Sequence, residues 1–283
     1  MKQRAITAII LIAFVAPFVY LGGWYIIALA SLFVLGATFE ILKVRHNRQP
    51  SPALHVVTYL GAIVIFIWNF IIFYVNHHYV DIPSPFLVQV NVVFLAMFLI
   101  ALLLLEVTHP DVTIGDIFYN FTMTFFIATA GQAAIFIRFL HDNTINTLLF
   151  VLVVTYACDT FAYLTGYFFG KHKMAPITSP KKTWEGAAGG VFFATLLGTL
   201  SYVVLPFGAG NNVWVVLVMS FFLAISGICG DLIFSSIKRH YNIKDFGTIF
   251  PGHGGILDRV DSLLFNVLTF VAIYALATGG VFV

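Results

Sequence analysis

An all-α polytopic membrane protein with about nine transmembrane helices is the fold class that three observations predict. Of the 283 residues, 60% are hydrophobic and 9% charged, at a mean hydropathy of +0.98; a soluble domain carries roughly 45–50% apolar and about 25% charged residues. The apolar residues run in continuous stretches rather than alternating, which suits helices of roughly 20 residues across a bilayer and disfavours a β-barrel. Lys and Arg fall in alternate loops, as expected when one side faces the cytoplasm. With 31 Phe, two Cys and no Gly-X-Y period, the disordered, disulfide-rich and collagen-like classes are excluded.

The first span, near 5–21, follows Lys2 and Arg4 and lacks a small-residue cleavage site, so it reads as an uncleaved helix with a cytoplasmic N-terminus. Gly22-Gly23 leads into the second, near 23–42, closed by Lys43, Arg45 and Arg48. Pro50-Ser51-Pro52 precedes the third, 54–75, and Pro83-Ser84-Pro85 the fourth, 87–107; paired turn formers mark such breaks. The connection from Glu106 to Asp116 is cytoplasmic by alternation, although it carries no Lys or Arg. The fifth span, 118–138, ends on the outer side at Arg138. The sixth, 146–169, leads into a polar loop from Gly170 to Gly186 with Lys171, Lys173, Lys181 and Lys182. The seventh, 186–206, and eighth, 212–234, are separated by Gly208-Ala209-Gly210-Asn211-Asn212. A second polar loop, Ser235 to Asp261, carries Lys238, Arg239, Lys244 and Arg259 before the ninth span, 262–281, and an outer C-terminus. This puts 13 of 14 basic residues on one side, a segregation that one missed span would destroy. The chain reads as one integral membrane domain, 1–283, in which 1–150 mainly embeds and 151–283 holds the catalytic helices and both polar loops.

Carboxylates within apolar runs carry the chemistry. Asp159 lies in Tyr156-Ala-Cys-Asp-Thr-Phe-Ala-Tyr163 and Asp231 in Ser226-Gly-Ile-Cys-Gly-Asp-Leu-Ile-Phe234. An ionised Asp in a span costs about 2.5–3.5 kcal/mol, so it marks a polar cavity or a partner unless it is a solvated helix end. Asp258 and Asp261, spaced by three, share a helix face and point to one spot, where oxygen-only ligands suit a hard cation such as Mg2+ held jointly with substrate phosphates; singly, either is an ordinary first-turn acid. Cys158 and Cys229, 71 residues apart within spans, are small apolar fillers. In Phe250-Pro-Gly-His-Gly-Gly-Ile256, Gly252, Gly254 and Gly255 let the backbone approach a ligand and form an anion nest. Cations, nest and carboxylates at one face describe a site for polyphosphate plus Mg2+. Glu40 and Glu106, also at inner span ends, lack glycine or basic company, and their loss is expected to matter much less.

Ser235-Ser-Ile-Lys-Arg239, Lys244-Asp-Phe-Gly247, Pro251-Gly-His-Gly-Gly255 and Asp258-Arg-Val-Asp261 resemble the signature of the phosphatidate cytidylyltransferase (CDP-diacylglycerol synthase) family. Asp159-Thr-Phe-Ala-Tyr163 and Ser179-Pro-Lys-Lys-Thr-Trp-Glu-Gly186 resemble its other marked segments. The 27-residue pattern from Ser235 to Asp261 is highly specific, and the motifs cover residues 156 to 264. Two positions depart: Phe234 stands where the family often has Glu, and Phe246 where it often has Ser.

The resemblance implies that CTP and phosphatidate give CDP-diacylglycerol and pyrophosphate with Mg2+, in a homodimer of the cell (inner) membrane whose site opens to the cytoplasm. It implies no nucleic-acid partner. Asp231, Asp258 and Asp261, with Asp159 as a further candidate, would hold one or two divalent cations. Asp231, Asp258, Asp261, Lys238 and Arg239 would be the catalytic set. Ser179, Lys181, Lys182, Thr183, Lys244, Asp245, Gly252, His253, Gly254, Gly255 and Arg259 would bind substrate. His253 either donates to a phosphate oxygen or shapes the turn, and Arg259 either meets phosphate or pairs with Asp258 or Asp261. Replacing Asp258 or Asp261 by Asn is expected to cost several powers of ten in activity with little effect on folding. An ion-coupled carrier is a competing class, but carriers often show two related halves, and these polar features cluster in one. A CDP-alcohol phosphotransferase would carry an Asp-Gly-x-x-Ala-Arg opening, which is absent. A scaffold explains neither the clustered charges nor the glycines.

Overall fold

Long apolar runs with no water to satisfy their peptide groups must close their hydrogen bonds internally, and in the computed structural model they do so as nine helices among the described residues. These are 2–44, 51–78, 84–143, 145–204, 212–250, 252 and 254–277. Arg45, Arg48, Pro50, Pro83, Gly208 to Asn211, Pro251 and His253 lie outside them. The helices are α1 (Lys2–Leu21), α2 (Gly23–Lys43), α3 (Pro52–His78), α4 (Ser84–Thr108), α5 (Ile114–Asn143), α6 (Asn146–Phe169), α7 (Trp184–Val204), α8 (Val213–His240) and α9 (Leu257–Ala277). Seven are long and apolar enough over their described residues to cross a membrane; the apolar parts of α1 and α3 described, Ile9–Leu21 and Pro52–Trp68, are shorter.

The first polar loop is not irregular. Lys173–Ala175 (β1) and Ser179–Thr183 (β2) form an antiparallel hairpin with Lys173 opposite Thr183. The Glu185 carboxylate anchors its base, accepting the Lys171 and His172 N–H groups at 3.1 and 3.2 Å and lying 2.6 Å from His172 Nδ1.

Packing divides the bundle into α1–α5, centred on α5 against α2 and α3, and α6–α9, with α5 against α9 as a main contact between them. The α6–α7 contact has a clear cause in sequence. Gly186, Gly190, Ala194 and Gly198 recur every four residues on the buried face of α7, and small residues at that spacing let helix backbones approach in lipid. A Cβ at Gly190 would sit 2.8 Å from the Ala162 Cβ and 2.9 Å from the Cys158 carbonyl oxygen. Polar pairs join the remaining helices: Asn266 Nδ2 donates to Thr155 Oγ1 at 2.7 Å, and Ser226 and Thr269 share a hydrogen bond of 2.6 Å.

Local contacts fix which chain segments share an end of the bundle. The ring of Tyr119, in the first turns of α5, meets Tyr241, just past α8, at 5.0 Å, so the 106–116 connection lies beside the second polar loop despite carrying no basic residue. At the start of α5 the Asp116 carboxylate reaches back to Thr113, accepting its N–H and hydroxyl at 2.8 and 2.6 Å, the N3-to-N-cap half of a capping box. Arg138 sits at the α1–α2 junction instead, donating to the carbonyls of Val19 and Tyr20 at 3.0 and 3.2 Å, where it caps the last turn of α1.

Candidate active site

Three helices and the hairpin bring the acidic residues together. Asp159 (α6), Asp231 (α8) and Asp261 (α9) lie within electrostatic reach of one another, with Ser262 of α9 beside Asp159. Lys182, at the end of β2, forms an ion pair with Asp231 at 2.6 Å and also acts on Asp159. Lys238 pairs with Asp258 at 2.8 Å and acts on Asp261, with the Phe246 ring 5.5 Å from its ammonium. Four carboxylates, Asp159, Asp231, Asp258 and Asp261, thus share two ammonium groups. The formal excess of two negative charges suits one divalent cation.

Asp258 differs from its expected role. It is 8% exposed, and both oxygens are committed: Oδ1 to Lys238, Oδ2 to the N–H groups of Phe246 and Gly255 at 2.8 and 3.0 Å. The pair at 258 and 261 therefore does not converge on one spot. Asp258 ties the glycine-rich turn to α9, while Asp261 belongs with Asp231 and Asp159. Among the described residues no three His, Cys, Asp or Glu side chains could hold a metal ion by themselves, so a hard cation fits here only with substrate oxygens completing its shell, the usual Mg2+ arrangement.

The glycine-rich turn is the anion nest its composition suggests, but the chain fills it. Gly252 and Gly254 take φ of 76° and 83°, a left-handed conformation that costs glycine little, and Phe250 N–H donates to the Gly254 carbonyl at 2.9 Å. Gly255 N–H donates to the Asp258 carboxylate at 3.0 Å. The next two, Ile256 and Leu257, donate to Glu40 at 2.7 and 2.9 Å.

Glu40 is the residue that sequence reasoning missed. It was expected to matter little for want of glycine neighbours, yet it is 1% exposed and packs against Gly247 and Gly255, where any Cβ would collide with its carboxylate. A buried carboxylate at the start of α9 satisfies orphan N–H groups and meets the positive end of the helix dipole. The only signal in sequence was an acid at the end of an otherwise apolar span, because the partners lie more than 200 residues away.

Thr183 is 4% exposed and its hydroxyl accepts the Gly186 N–H at 3.1 Å, which makes it the N-cap of α7. Arg239 bridges loops, donating to the carbonyls of Thr178 at the hairpin tip and Ile243 at 3.4 and 3.2 Å. Lys181, Lys244, Asp245, Gly252 and Arg259 are exposed, and Ser179 and Gly254 half-buried. The two departures from the signature touch: Phe234, 1% exposed, meets Phe246 edge-on at 5.6 Å and packs against Phe126 and Phe265. An aromatic plug stands where a polar pair would otherwise face the bundle interior.

The model of the cytidylyltransferase family matches residues 2–277. The chain belongs to the cytidylyltransferase family. Its relatives include the phosphatidate cytidylyltransferase of Staphylococcus aureus (strain COL), 31% identical over 94% of this chain and 95% of that one. The Haemophilus influenzae protein of the same name is 31% identical over 97% and 98%, and that of Staphylococcus haemolyticus 30% over 94% and 95%. Matches of this length extend the cytidylyltransferase likeness beyond the signature to the N-terminal helices.

Proposed function

We propose that this chain is a phosphatidate cytidylyltransferase, converting CTP and phosphatidate to CDP-diacylglycerol and pyrophosphate. The observation that carries this reading is the cluster of Asp159, Asp231 and Asp261 with Lys182 and Lys238 among apolar helices, with Lys181, Lys244 and Arg259 exposed on the chain segments that flank it in sequence. A lipid phosphate at the bilayer surface and a nucleotide from solution can both reach such a place, and the names and length of the relatives agree with it.

The phosphate monoester oxygen of phosphatidate is ionised at neutral pH and attacks the α-phosphorus of CTP. A P–O bond forms there as the bond from the α-phosphorus to the α,β-bridging oxygen breaks, and pyrophosphate leaves with that electron pair. No strong base is required; the difficulty is bringing two polyanions together and stabilising charge on the leaving group. Lys181, Lys244 and Arg259 neutralise the triphosphate and headgroup, and Lys182 can exchange its carboxylate for phosphate. Asp231 and Asp261, with Asp159 beside them, would hold Mg2+, which supplies charge neutralisation between the reacting phosphates. Asp258, Glu40 and Arg239 hold the loops that carry these groups.

The reading includes a homodimer in the cell membrane with the site toward the cytoplasm, where CTP is found. Purified protein in nanodiscs, given phosphatidate and labelled CTP, should release pyrophosphate and form labelled CDP-diacylglycerol only with Mg2+, and the particle mass should correspond to two copies. Solute flux without CTP consumption would instead identify a carrier.

A further inference from the structure

Near the middle of α9, in an otherwise apolar stretch, stands Asn266, 0% exposed. Its Nδ2 donates to Thr155 Oγ1 of α6 at 2.7 Å, and that hydroxyl donates in turn to the Val151 carbonyl at 2.7 Å. From α8, Gly227 lies against it: an added Cβ would come within 3.1 Å of Nδ2 and 3.4 Å of Oδ1. Asp159 is four residues beyond Thr155, Asp231 four beyond Gly227, and Ser262 four before Asn266. Residues four apart share a helix face one turn, about 6 Å, away. Ser262 does lie beside Asp159, so Asn266–Thr155 and Ser262–Asp159 are successive rungs between α9 and α6. Three helices therefore meet at Asn266 one turn from where the same three present Asp159, Asp231 and Asp261.

Stability does not account for this residue. A hydrogen bond between membrane helices contributes less on average than a buried acceptor without a partner costs, and Asn266 Oδ1 is such an acceptor among the described residues. A leucine, with the same branching, would be at least as stable there. What the amide adds is direction: one buried Asn can fix the register of packed helices, which apolar contacts leave looser. We infer that Asn266 is a positioning residue: through Thr155 it sets the register of α6 on α9, and with it the separation of Asp159 from Asp231 and Asp261. The inference rests on the proposed reaction, in which these carboxylates hold the divalent cation, and a misplacement of about 1 Å can cost about a hundredfold in rate.

Asn266→Leu deletes the bond while Thr155 keeps its own bond to Val151. Its kcat should fall at least about tenfold with no fall in melting temperature. Binding of Mn2+–CTP, followed by water-proton relaxation without lipid, should weaken at least about tenfold. Thr155→Val should reproduce both losses, Thr155→Ser should restore wild-type values, and the double variant Asn266→Leu with Thr155→Val should be no worse than either alone. Ser226→Ala is the control, because the Ser226–Thr269 bond of 2.6 Å joins α8 to α9 without α6; it should leave kcat and Mn2+–CTP binding unchanged. Wild-type kcat and Mn2+–CTP affinity in Asn266→Leu overturn the inference. Equal losses in Ser226→Ala, or losses that only follow a lower melting temperature, also overturn it. Should Asn266→Leu fail to fold, the contrast between Thr155→Val and Thr155→Ser carries the same test. If wild type binds Mn2+–CTP and Asn266→Leu does not, while neither makes CDP-diacylglycerol, the reaction falls and the positioning role stands.

Discussion

Asp258 accepts two backbone N–H groups and an ammonium, while Asp261, one turn on, faces Asp231 and Asp159. The two positions therefore fail differently. Asp261→Asn should remove activity by several powers of ten with an unchanged melting temperature, because it deletes charge without orphaning a donor. Asp258→Asn weakens bonds that a carboxylate makes at about 1.5–3 kcal/mol each and leaves Lys238 buried without its counter-ion, so it should lose activity and also melt several degrees lower. Equal melting curves would show that the Asp258 contacts do not hold the turn. Glu40→Gln tests the other half of the nest: its amide accepts one of the two N–H groups and presents a donor to the second, so stability should fall by about 2 kcal/mol with a lower kcat and a normal KM for CTP. Full activity and stability would return Glu40 to the minor role its sequence context suggested. Residue types and spacing made Asp231, Lys238 and Asp261 legible. Glu40 and Thr183 were not, because what a carboxylate or hydroxyl does depends on which N–H groups the fold aims at it.

The number and order of the helices were legible, since bilayer thickness sets their length and the runs of apolar residues reveal it, but α8 runs six residues past its expected end to His240 and α9 begins five residues early at Leu257, where polar residues continue a helix that hydropathy alone would stop. The β1–β2 hairpin was not: Ser179-Pro-Lys-Lys-Thr183 has no alternating apolar pattern, and its pairing depends on Glu185 anchoring the Lys171 and His172 amides. Nor did the sequence reading use the glycines of α7, which recur at a spacing that sets how closely α6 approaches and hence how Asp159 is placed relative to Lys182. Gly190→Leu should force the pair apart, costing about 1–3 kcal/mol as overpacking does. Activity should fall with stability, because Asp159 sits on α6 and Lys182 on β2, which leads directly into α7. The same substitution at Gly115, where only the Thr113 hydroxyl approaches an added Cβ, at 3.8 Å, should change neither. Comparable losses at both positions would mean that glycine loss, not α6–α7 spacing, is responsible.

For the whole molecule, the strongest inference from sequence was that scarce charge is sorted by side. The contacts agree on which segments share an end: Glu40 meets α9, Tyr119 meets Tyr241, and Arg138 closes the α1–α2 junction. They do not by themselves say which end faces the cytoplasm; the positive-inside argument does, and it is testable with the chain's own thiols as background. Cys158 is buried, and Cys229 faces the apolar space between α7 and α8 beside Ile225 and Ile228, where a charged maleimide has no aqueous approach. Ile177→Cys, at the hairpin tip and 90% exposed, should be labelled by a membrane-impermeant maleimide in inverted vesicles but not in intact cells. Asn212→Cys, at the exposed start of α8, should show the reverse. Labelling of both from one side would break the alternation, and labelling of Ile177→Cys only from outside would turn the catalytic end away from CTP. The expected pattern places the exposed Lys181, Lys244 and Arg259 in nucleotide-bearing solution, so that CTP meets the cluster from the side where it is found and a lipid phosphate meets it from the bilayer surface.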